Sequence, residues 1–301
     1  MTSKSRKNYI DELRGFAIFL VVIGHAYRTN YNYSLHEFLN YLDSAIYMFH
    51  MPLFFFVSGL TFYTKGDVLE KGGTYFRRAV SLLIPTLIWM ALQLFFNLTI
   101  DGQVELFVEK YSQALIRPFQ QFWFMYALII ILGISTFIYS TNKTLNVLIF
   151  VLLYSWVYLN GENGFFNTIA WGLAFFYMGV VLKDAELKKL TLLSFVLFVI
   201  IFSSYFLEPK INKLLVSSFI VLLLFLFFKF KNVEFKFLAI LGLASISIYF
   251  THVIIRDAFY LIYPGNIYVF SAVVTCFGLI LPLYLQRILP KRMFKFEVGS
   301  K

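Results

Sequence analysis

Apolar segments of about 17–25 residues follow one another along almost the whole chain, and this feature constrains its fold more than any other. A helix of that length crosses a hydrocarbon core of about 30 Å. The composition agrees, because 60% of the residues are hydrophobic and 14% are charged, whereas about 25% are charged in soluble domains. The sequence therefore predicts an all-α fold, a polytopic membrane helical bundle of about ten transmembrane helices.

The limits of these segments define the predicted spans. They cover residues 11–29, 44–63, 79–99, 122–140, 144–160, 166–183, 191–207, 213–230, 236–256 and 267–289. With the amino terminus in the cytoplasm, 19 of the 26 Lys and Arg residues lie inside and six lie outside, Arg256 among the six. This asymmetry follows the positive-inside rule and predicts that both termini are cytoplasmic.

The net charge of +10 has the same topological explanation. We therefore expect the lipid bilayer as a partner and no nucleic acid. Cys276 is the only cysteine, so the chain forms no internal disulfide. No two histidines have the spacing of metal ligands on a helix, and we expect no metal cofactor.

The first predicted span carries three ionisable residues, Asp11, Arg14 and His25. At about 100° per residue, the steps from Arg14 to His25 fall within about 20° of three full turns, and Asp11 lies about 60° from Arg14. All three share one helix face, with Arg14 and His25 about 16 Å apart along the axis. Ionisable groups at membrane depth are costly and usually functional, although snorkelling towards the cytoplasmic surface is an alternative for Arg14.

Three histidines form a predicted outer polar layer. In this topology His50 and His252 lie at a depth similar to that of His25, with His252 about one turn from the outer end of its span. Trp123 begins the fourth span on the same side. The ordinary alternatives are a histidine hydrogen-bonded to a main-chain carbonyl and a tryptophan of the interfacial aromatic belt.

The cytoplasmic side carries a predicted basic layer, made of Arg77 and Arg78 at the start of the third span together with Arg14. Guanidinium groups bind phosphates in charge-assisted, often bidentate pairs, and a histidine deeper in the bundle suits a general base. A ligand joining both layers would be long, like coenzyme A. A proton-coupled transporter also places Arg and His inside its bundle, and Arg77 and Arg78 are alternatively positive-inside anchors.

Six short motifs occur in a fixed order. The first motif lies in the first span, where ten residues separate Arg14 from His25. The others are FHMPLFFFVSG at 49–59, FRRAVSLLIP at 76–85, FWF at 122–124, FYMG at 176–179 and IYFTH at 248–252. Together they resemble the membrane-bound acyltransferase family 3 proteins, which O-acylate cell-surface carbohydrates, and their fucose O-acetylase-like branch. Many members carry Arg-x-x-Arg before the third-span proline, where this chain has Ser81 as the second residue.

The resemblance implies an integral membrane O-acetyltransferase with acetyl-CoA as its acyl donor. The phosphates of the donor would lie near Arg77, Arg78 and Arg14. His25 would be the general base on an acceptor hydroxyl or would be transiently acetylated itself. Arg14 and Asp11 are the other catalytic candidates.

The resemblance also implies the acceptor and the location. The acceptor would be a carbohydrate or lipid-linked sugar, such as an exopolysaccharide, capsule or cell-wall sugar, with four candidate binding residues, His50, Ser58, Trp123 and His252. Residues 1–290 would form the acyltransferase-3-like transmembrane domain and residues 291–301 a short basic cytoplasmic tail. We expect a multi-pass protein of a bacterial plasma membrane, with a homodimer left open. A transporter or flippase for a charged small molecule or lipid-linked sugar is the alternative from another class.

Overall fold

Helices account for almost all of the chain that the structure describes. The structure is a computed structural model and describes residues 5–26, 37–160, 164–183, 212–263 and 266–294. These ranges contain no β-strand. Their α-helices are α1 (Ser5–Ala26), α2 (Glu37–Thr61), α3 (Val68–Ile100), α4 (Phe107–Ile116), α5 (Trp123–Ile138), α6 (Lys143–Asn160), α7 (Phe165–Leu182), α8 (Asn212–Phe230), α9 (Lys236–Leu243), α10 (Ser245–Ile262) and α11 (Ile267–Ile288). Short 3₁₀ turns lie at Val104–Leu106, Gln120–Phe122 and Lys291–Met293.

Eight helical stretches of the described chain are long and apolar enough to cross a membrane, which confirms an all-α polytopic membrane protein. They are Asp43–Thr61, Val68–Ile100, Val104–Ile138, Lys143–Asn160, Phe165–Leu182, Lys213–Phe230, Ser245–Ile262 and Ile267–Ile288. The predicted first span corresponds to α1, which carries Asp11, Glu12 and Arg14 in its first half. The predicted span 191–207 lies outside the described residues.

The predicted ninth span, 236–256, is wrong as a single helix. α9 ends at Leu243 and α10 begins at Ser245, so the helix breaks at Ala244. The apolar character continues across this break, and hydropathy therefore gives no sign of it. Since α10 runs on to Ile262, His252 lies near the middle of its helix and not one turn from its end.

α3 begins at Val68, well before the predicted start at residue 79. Its first turn is capped by Asp67, whose side chain accepts a hydrogen bond of 2.9 Å from the main-chain N–H of Glu70. The helix has 33 residues, which corresponds to about 50 Å. This is longer than a bilayer core of about 30 Å. Arg77 and Arg78 therefore lie within a helix that exceeds the span, and not at its first residues.

The chain divides into two compact units. Of the described residues, 5–24, 37–63, 140–160, 164–183 and 212–245 belong to unit 1, and 25–26, 64–139, 246–263 and 266–294 belong to unit 2. α1 contributes to both, because its last residues, from His25 onward, belong to unit 2.

In unit 1, α2 and α7 approach closely through two motif glycines. A Cβ atom at Gly59 would lie 1.9 Å from the carbonyl oxygen of Phe176, and one at Gly179 would lie 2.2 Å from that of Phe56. The obstructing atoms belong to the main chain and cannot rotate away. Close helix approach is thus the structural role of both glycines.

The first half of α1 packs backbone to backbone against α9, also in unit 1. A Cβ atom at Gly15 would lie 1.8 Å from the carbonyl oxygen of Leu238, and one at Gly242 would lie 1.8 Å from that of Asp11. This contact holds the turn of α1 that carries Asp11 and Arg14.

In unit 2, the end of α1 is held by apolar packing against α11. Ala26 clusters with Phe270 and Val274, and all three are at least nine-tenths buried. Trp89 of α3 donates from its indole N–H to the carbonyl oxygen of Met293 at 2.6 Å. The cluster around Ala26 holds the last turn of α1, which carries His25, within unit 2.

Candidate active site

Unit 2 brings together two of the predicted histidines. His25 lies in the last turn of α1 and is partly exposed, whereas His252 lies near the middle of α10 with 1% of its surface exposed. Their ring centroids are 5.0 Å apart and their planes meet at 64°, an edge-to-face arrangement. The two histidines, which the sequence predicts to lie at a similar depth in the membrane, are in direct ring contact.

His252 presents a nitrogen with a lone pair. Its Nδ1 lies 2.9 Å from the carbonyl oxygen of Ile248, and since a carbonyl only accepts, Nδ1 carries the hydrogen of the neutral ring. Nε2 is then the acceptor, and it is buried without a hydrogen-bond partner among the described residues. Buried polar atoms in native proteins are nearly always paired. The atom is therefore suited to accept a hydrogen bond from a ligand.

A buried ion pair supports the histidine pair and was missed from the sequence. Arg256 was predicted in an outer loop, but it lies inside α10 and is 6% exposed. Its Nε donates to Oδ1 of Asp257 at 2.8 Å, and its Nη1 donates to the main-chain oxygen of His25 at 3.4 Å. The prediction failed because its span was placed too early in the chain. The signal was present, since His252 and Arg256 are four residues apart and therefore share a helix face.

The predicted phosphate-binding arginines differ in exposure. Arg77 is exposed, and its Nη2 donates to the hydroxyl of Thr74 at 3.3 Å. Arg78 is half-buried. Ser81, at the position where many proteins of the resembled family carry a second arginine, donates its hydroxyl to the carbonyl oxygen of Arg78 at 2.7 Å. Ser81 is therefore engaged within α3, which leaves Arg77 and Arg78 as the guanidinium groups of this segment.

Trp123 is the first residue of α5 and is half-buried, as expected for the start of a span. It follows the 3₁₀ turn Gln120–Phe122, and its ring packs edge to face against Phe124 with a centroid distance of 6.3 Å. Its place at the helix start is compatible both with acceptor binding and with an interfacial belt residue.

The remaining predicted site residues lie in unit 1. Arg14 and Asp11 form the ion pair that their spacing allows, with Nη1 and Oδ1 3.6 Å apart. His50 is 2% exposed, and its Nδ1 lies 2.7 Å from the carbonyl oxygen of Ile46. Ser58 donates its hydroxyl to the carbonyl oxygen of Phe54 at 2.9 Å. His50 thus makes the main-chain contact that the ordinary interpretation of an intramembrane histidine expects, and Ser58 makes a contact of the same local kind.

Unit 1 also contains a buried ion pair that sequence inspection missed. Glu12 is 1% exposed and pairs with Lys231. The other carboxylate oxygen of Glu12 accepts a hydrogen bond of 3.0 Å from the main-chain N–H of Phe235. Lys231 is one of the 19 basic residues that the charge asymmetry places on the cytoplasmic side. Glu12 and Lys231 are far apart in the sequence, so no local sequence pattern predicts that they pair.

The fold and the site together define a class of protein. It is a multi-pass helical membrane protein in which a histidine at the end of the first helix contacts a histidine of another helix. Residues 7–286 match the family described as acyltransferase domain. Because this match covers most of the chain, the chain belongs to that family. The match confirms the resemblance that the six motifs indicate.

Curated relatives share a shorter segment. The chain is 39% identical over 99 residues to the nodulation protein NolL of Sinorhizobium fredii, and 37% identical over 93 residues to the nodulation protein NolL of Mesorhizobium japonicum. Each match covers 30% of this chain, and 25% and 24% of the respective relatives. The chain thus spans about a quarter of their length in these matches. No solved structure matches the chain.

Proposed function

We propose that this protein is an integral membrane O-acyltransferase of a bacterial plasma membrane. It would transfer an acetyl group from acetyl-CoA to a hydroxyl of an extracytoplasmic or lipid-linked carbohydrate. The observation that supports this most is the ring contact of His25 with His252, 5.0 Å between centroids, in a chain of the acyltransferase family. A transporter, the alternative from the sequence, accounts less well for that family membership.

His25 is the general base in this proposal. Its neutral imidazole takes the proton of the acceptor hydroxyl while the hydroxyl oxygen attacks the thioester carbonyl carbon. The tetrahedral intermediate collapses as the C–S bond breaks, which leaves an O-acetyl ester and the thiolate of CoA. The thiolate then takes the proton from the imidazolium. Reactants and products balance without a metal or a redox partner.

A covalent route through the same residue is the second form of the proposal. The imidazole of His25 attacks the thioester, CoA leaves, and the acceptor hydroxyl takes the acetyl group from the acetyl-imidazole. The CoA thiolate takes the ring proton of the acetyl-imidazolium in the first half. In the second half His252, whose Nε2 carries a lone pair, would take the hydroxyl proton and return it to the leaving ring nitrogen of His25.

The guanidinium groups of Arg77 and Arg78 would bind the phosphates of acetyl-CoA, because both lie on one turn of α3 and neither is fully buried. The assignment of Arg14 and Asp11 to the same reaction remains a prediction from the sequence. Trp123, His50 and Ser58 likewise remain candidates for acceptor binding.

The test uses purified protein, labelled acetyl-CoA and a set of carbohydrate acceptors, with release of free CoA and labelled ester as readouts. We expect His25→Ala to lose nearly all transfer, because it removes the imidazole that acts as the base in one form of the proposal and as the acetyl carrier in the other. Tyr263→Ala is the matched control, since it removes an exposed ring from the same unit. Full transfer by His25→Ala would rule out this role.

Two further readouts separate the alternatives. Labelled acetyl-CoA without acceptor, followed by rapid quench and peptide mass spectrometry, would find acetylated His25 only in the covalent route. Substrate flux into vesicles without CoA release would instead identify a transporter.

A further inference from the structure

A cluster of neutral polar side chains lies in unit 2. Gln121 donates from Nε2 to Oε1 of Gln93 at 2.8 Å, and Gln93 donates from its own Nε2 to Oε1 of Gln120. Tyr249 donates its hydroxyl to the main-chain oxygen of Gln121. We call these four residues the amide cluster. They come from α3, from the 3₁₀ turn before α5 and from α10.

The amide cluster adjoins the histidine pair. Tyr249 stands one helical turn before His252 on α10, and their ring centroids are 6.4 Å apart. The amide cluster therefore extends, through Tyr249, to the imidazole of His252.

The cluster ends in an unpaired buried acceptor. Gln121 is 5% exposed, and its Oε1 is buried without a hydrogen-bond partner in the described part of the chain, although its Nε2 is paired. Nε2 of His252 is likewise buried without a hydrogen-bond partner among the described residues. Two unpaired acceptors close to one cluster are unusual in a native protein. Both are suited to ligand O–H groups.

Gln120 gives the cluster an exposed end. It has a φ of +47°, a conformation that residues other than glycine rarely adopt, and strained backbone is concentrated at functional sites. Gln93, which Gln120 contacts, is fully buried. The hydrogen-bonded amides thus lead from an exposed residue to the buried acceptor of Gln121.

We propose that the amide cluster is the subsite that binds the sugar ring of the acceptor. Gln121 accepts a hydrogen bond from one sugar hydroxyl through Oε1, and the exposed amide of Gln120 contacts another polar group of the sugar. Amide and phenol groups without a charged side chain suit a neutral polyol better than a phosphate or a carboxylate. The inference rests on the proposed acyl transfer and names the residues that select its acceptor.

The test is steady-state kinetics with purified full-length protein, acetyl-CoA and the methyl glycosides of fucose, glucose and N-acetylglucosamine. Gln121→Met removes the amide and keeps a similar volume. Gln120→Gly removes the exposed amide and adopts the positive φ without strain. Gln286→Leu is the matched control, because this glutamine of unit 2 contacts Ser247 outside the cluster.

We expect the KM for the acceptor to rise about tenfold in Gln121→Met and Gln120→Gly, while the KM for acetyl-CoA stays within about twofold of wild type. Gln286→Leu should keep both values. An unchanged acceptor KM, as for a cluster that holds only water, overturns the inference and leaves acyl transfer intact. An equal rise of both KM values also overturns it. No CoA release by the wild-type protein with any glycoside overturns the proposed function, and the inference with it.

Discussion

The guanidinium of Arg256 donates a hydrogen bond of 3.4 Å to the main-chain oxygen of His25, while the same group pairs with Asp257. The last carbonyl groups of a helix have no partner within the helix. Arg256 therefore supplies a donor where α1 ends, and it does so from a buried position on α10. His25 is thus held by its backbone, independently of its ring contact.

This relationship predicts that Arg256 positions the imidazole of His25, the proposed general base. Arg256→Met should lower kcat about ten- to a hundredfold, because small displacements of a catalytic group are costly, and should leave the KM for acetyl-CoA unchanged. Arg256→Lys should restore part of kcat, since it keeps the charge but loses the planar fork. Arg287→Met, at an exposed arginine of the same unit, is the control. Wild-type kcat in Arg256→Met would show that the contact has no positioning role.

The buried pair of Glu12 with Lys231 makes a prediction about stability. Lys231→Met leaves a carboxylate buried without its cation and should destabilise the protein by about 3 kcal/mol. The double variant Glu12→Gln with Lys231→Met removes both charges and should be more stable than Lys231→Met alone. The unfolding temperatures of these variants in detergent give their relative stabilities. Equal destabilisation by the single and the double variant would mean that the two charges are not coupled.

Much of the fold follows from the sequence because spanning a bilayer needs long apolar helices and little else. The predicted span 267–289 corresponds to α11 at Ile267–Ile288, and the predicted span 166–183 corresponds to α7 at Phe165–Leu182. Hydropathy averaged over such lengths is insensitive to single residues. The same averaging explains the failure at Ala244, where one break between two apolar helices leaves the average unchanged.

The site was predicted only as far as single helices allow. The shared face of Asp11 and Arg14 follows from helix geometry, and their ion pair is present. The contact of Gln121 with Gln93 joins separate elements, so it depends on packing that no periodicity describes. Arg256 was misplaced for a different reason, since charge counting assigns every arginine near a predicted span end to a loop.

The close contact of α2 with α7 predicts a strong difference between two glycines. Gly59→Ala places a Cβ against the main chain of Phe176 and should destabilise the protein by about 1–3 kcal/mol. Gly72→Ala in α3 has open space around the new Cβ and should be neutral or stabilising by up to about 1 kcal/mol. Thermal unfolding in detergent compares them. Equal unfolding temperatures would mean that α2 and α7 are less closely packed than described.

Arg14 allows a test of charge against geometry. Its Nη1 lies 3.6 Å from Oδ1 of Asp11, longer than a good hydrogen bond, and its side chain is 31% exposed. The guanidinium thus keeps donors for a phosphate. Arg14→Lys retains the charge but not the planar fork, so the KM for acetyl-CoA should rise about tenfold, whereas Asp11→Asn, which leaves the guanidinium in place, should change it less. Wild-type kinetics in Arg14→Lys would identify Arg14 as a simple charge anchor and would remove it from the donor site.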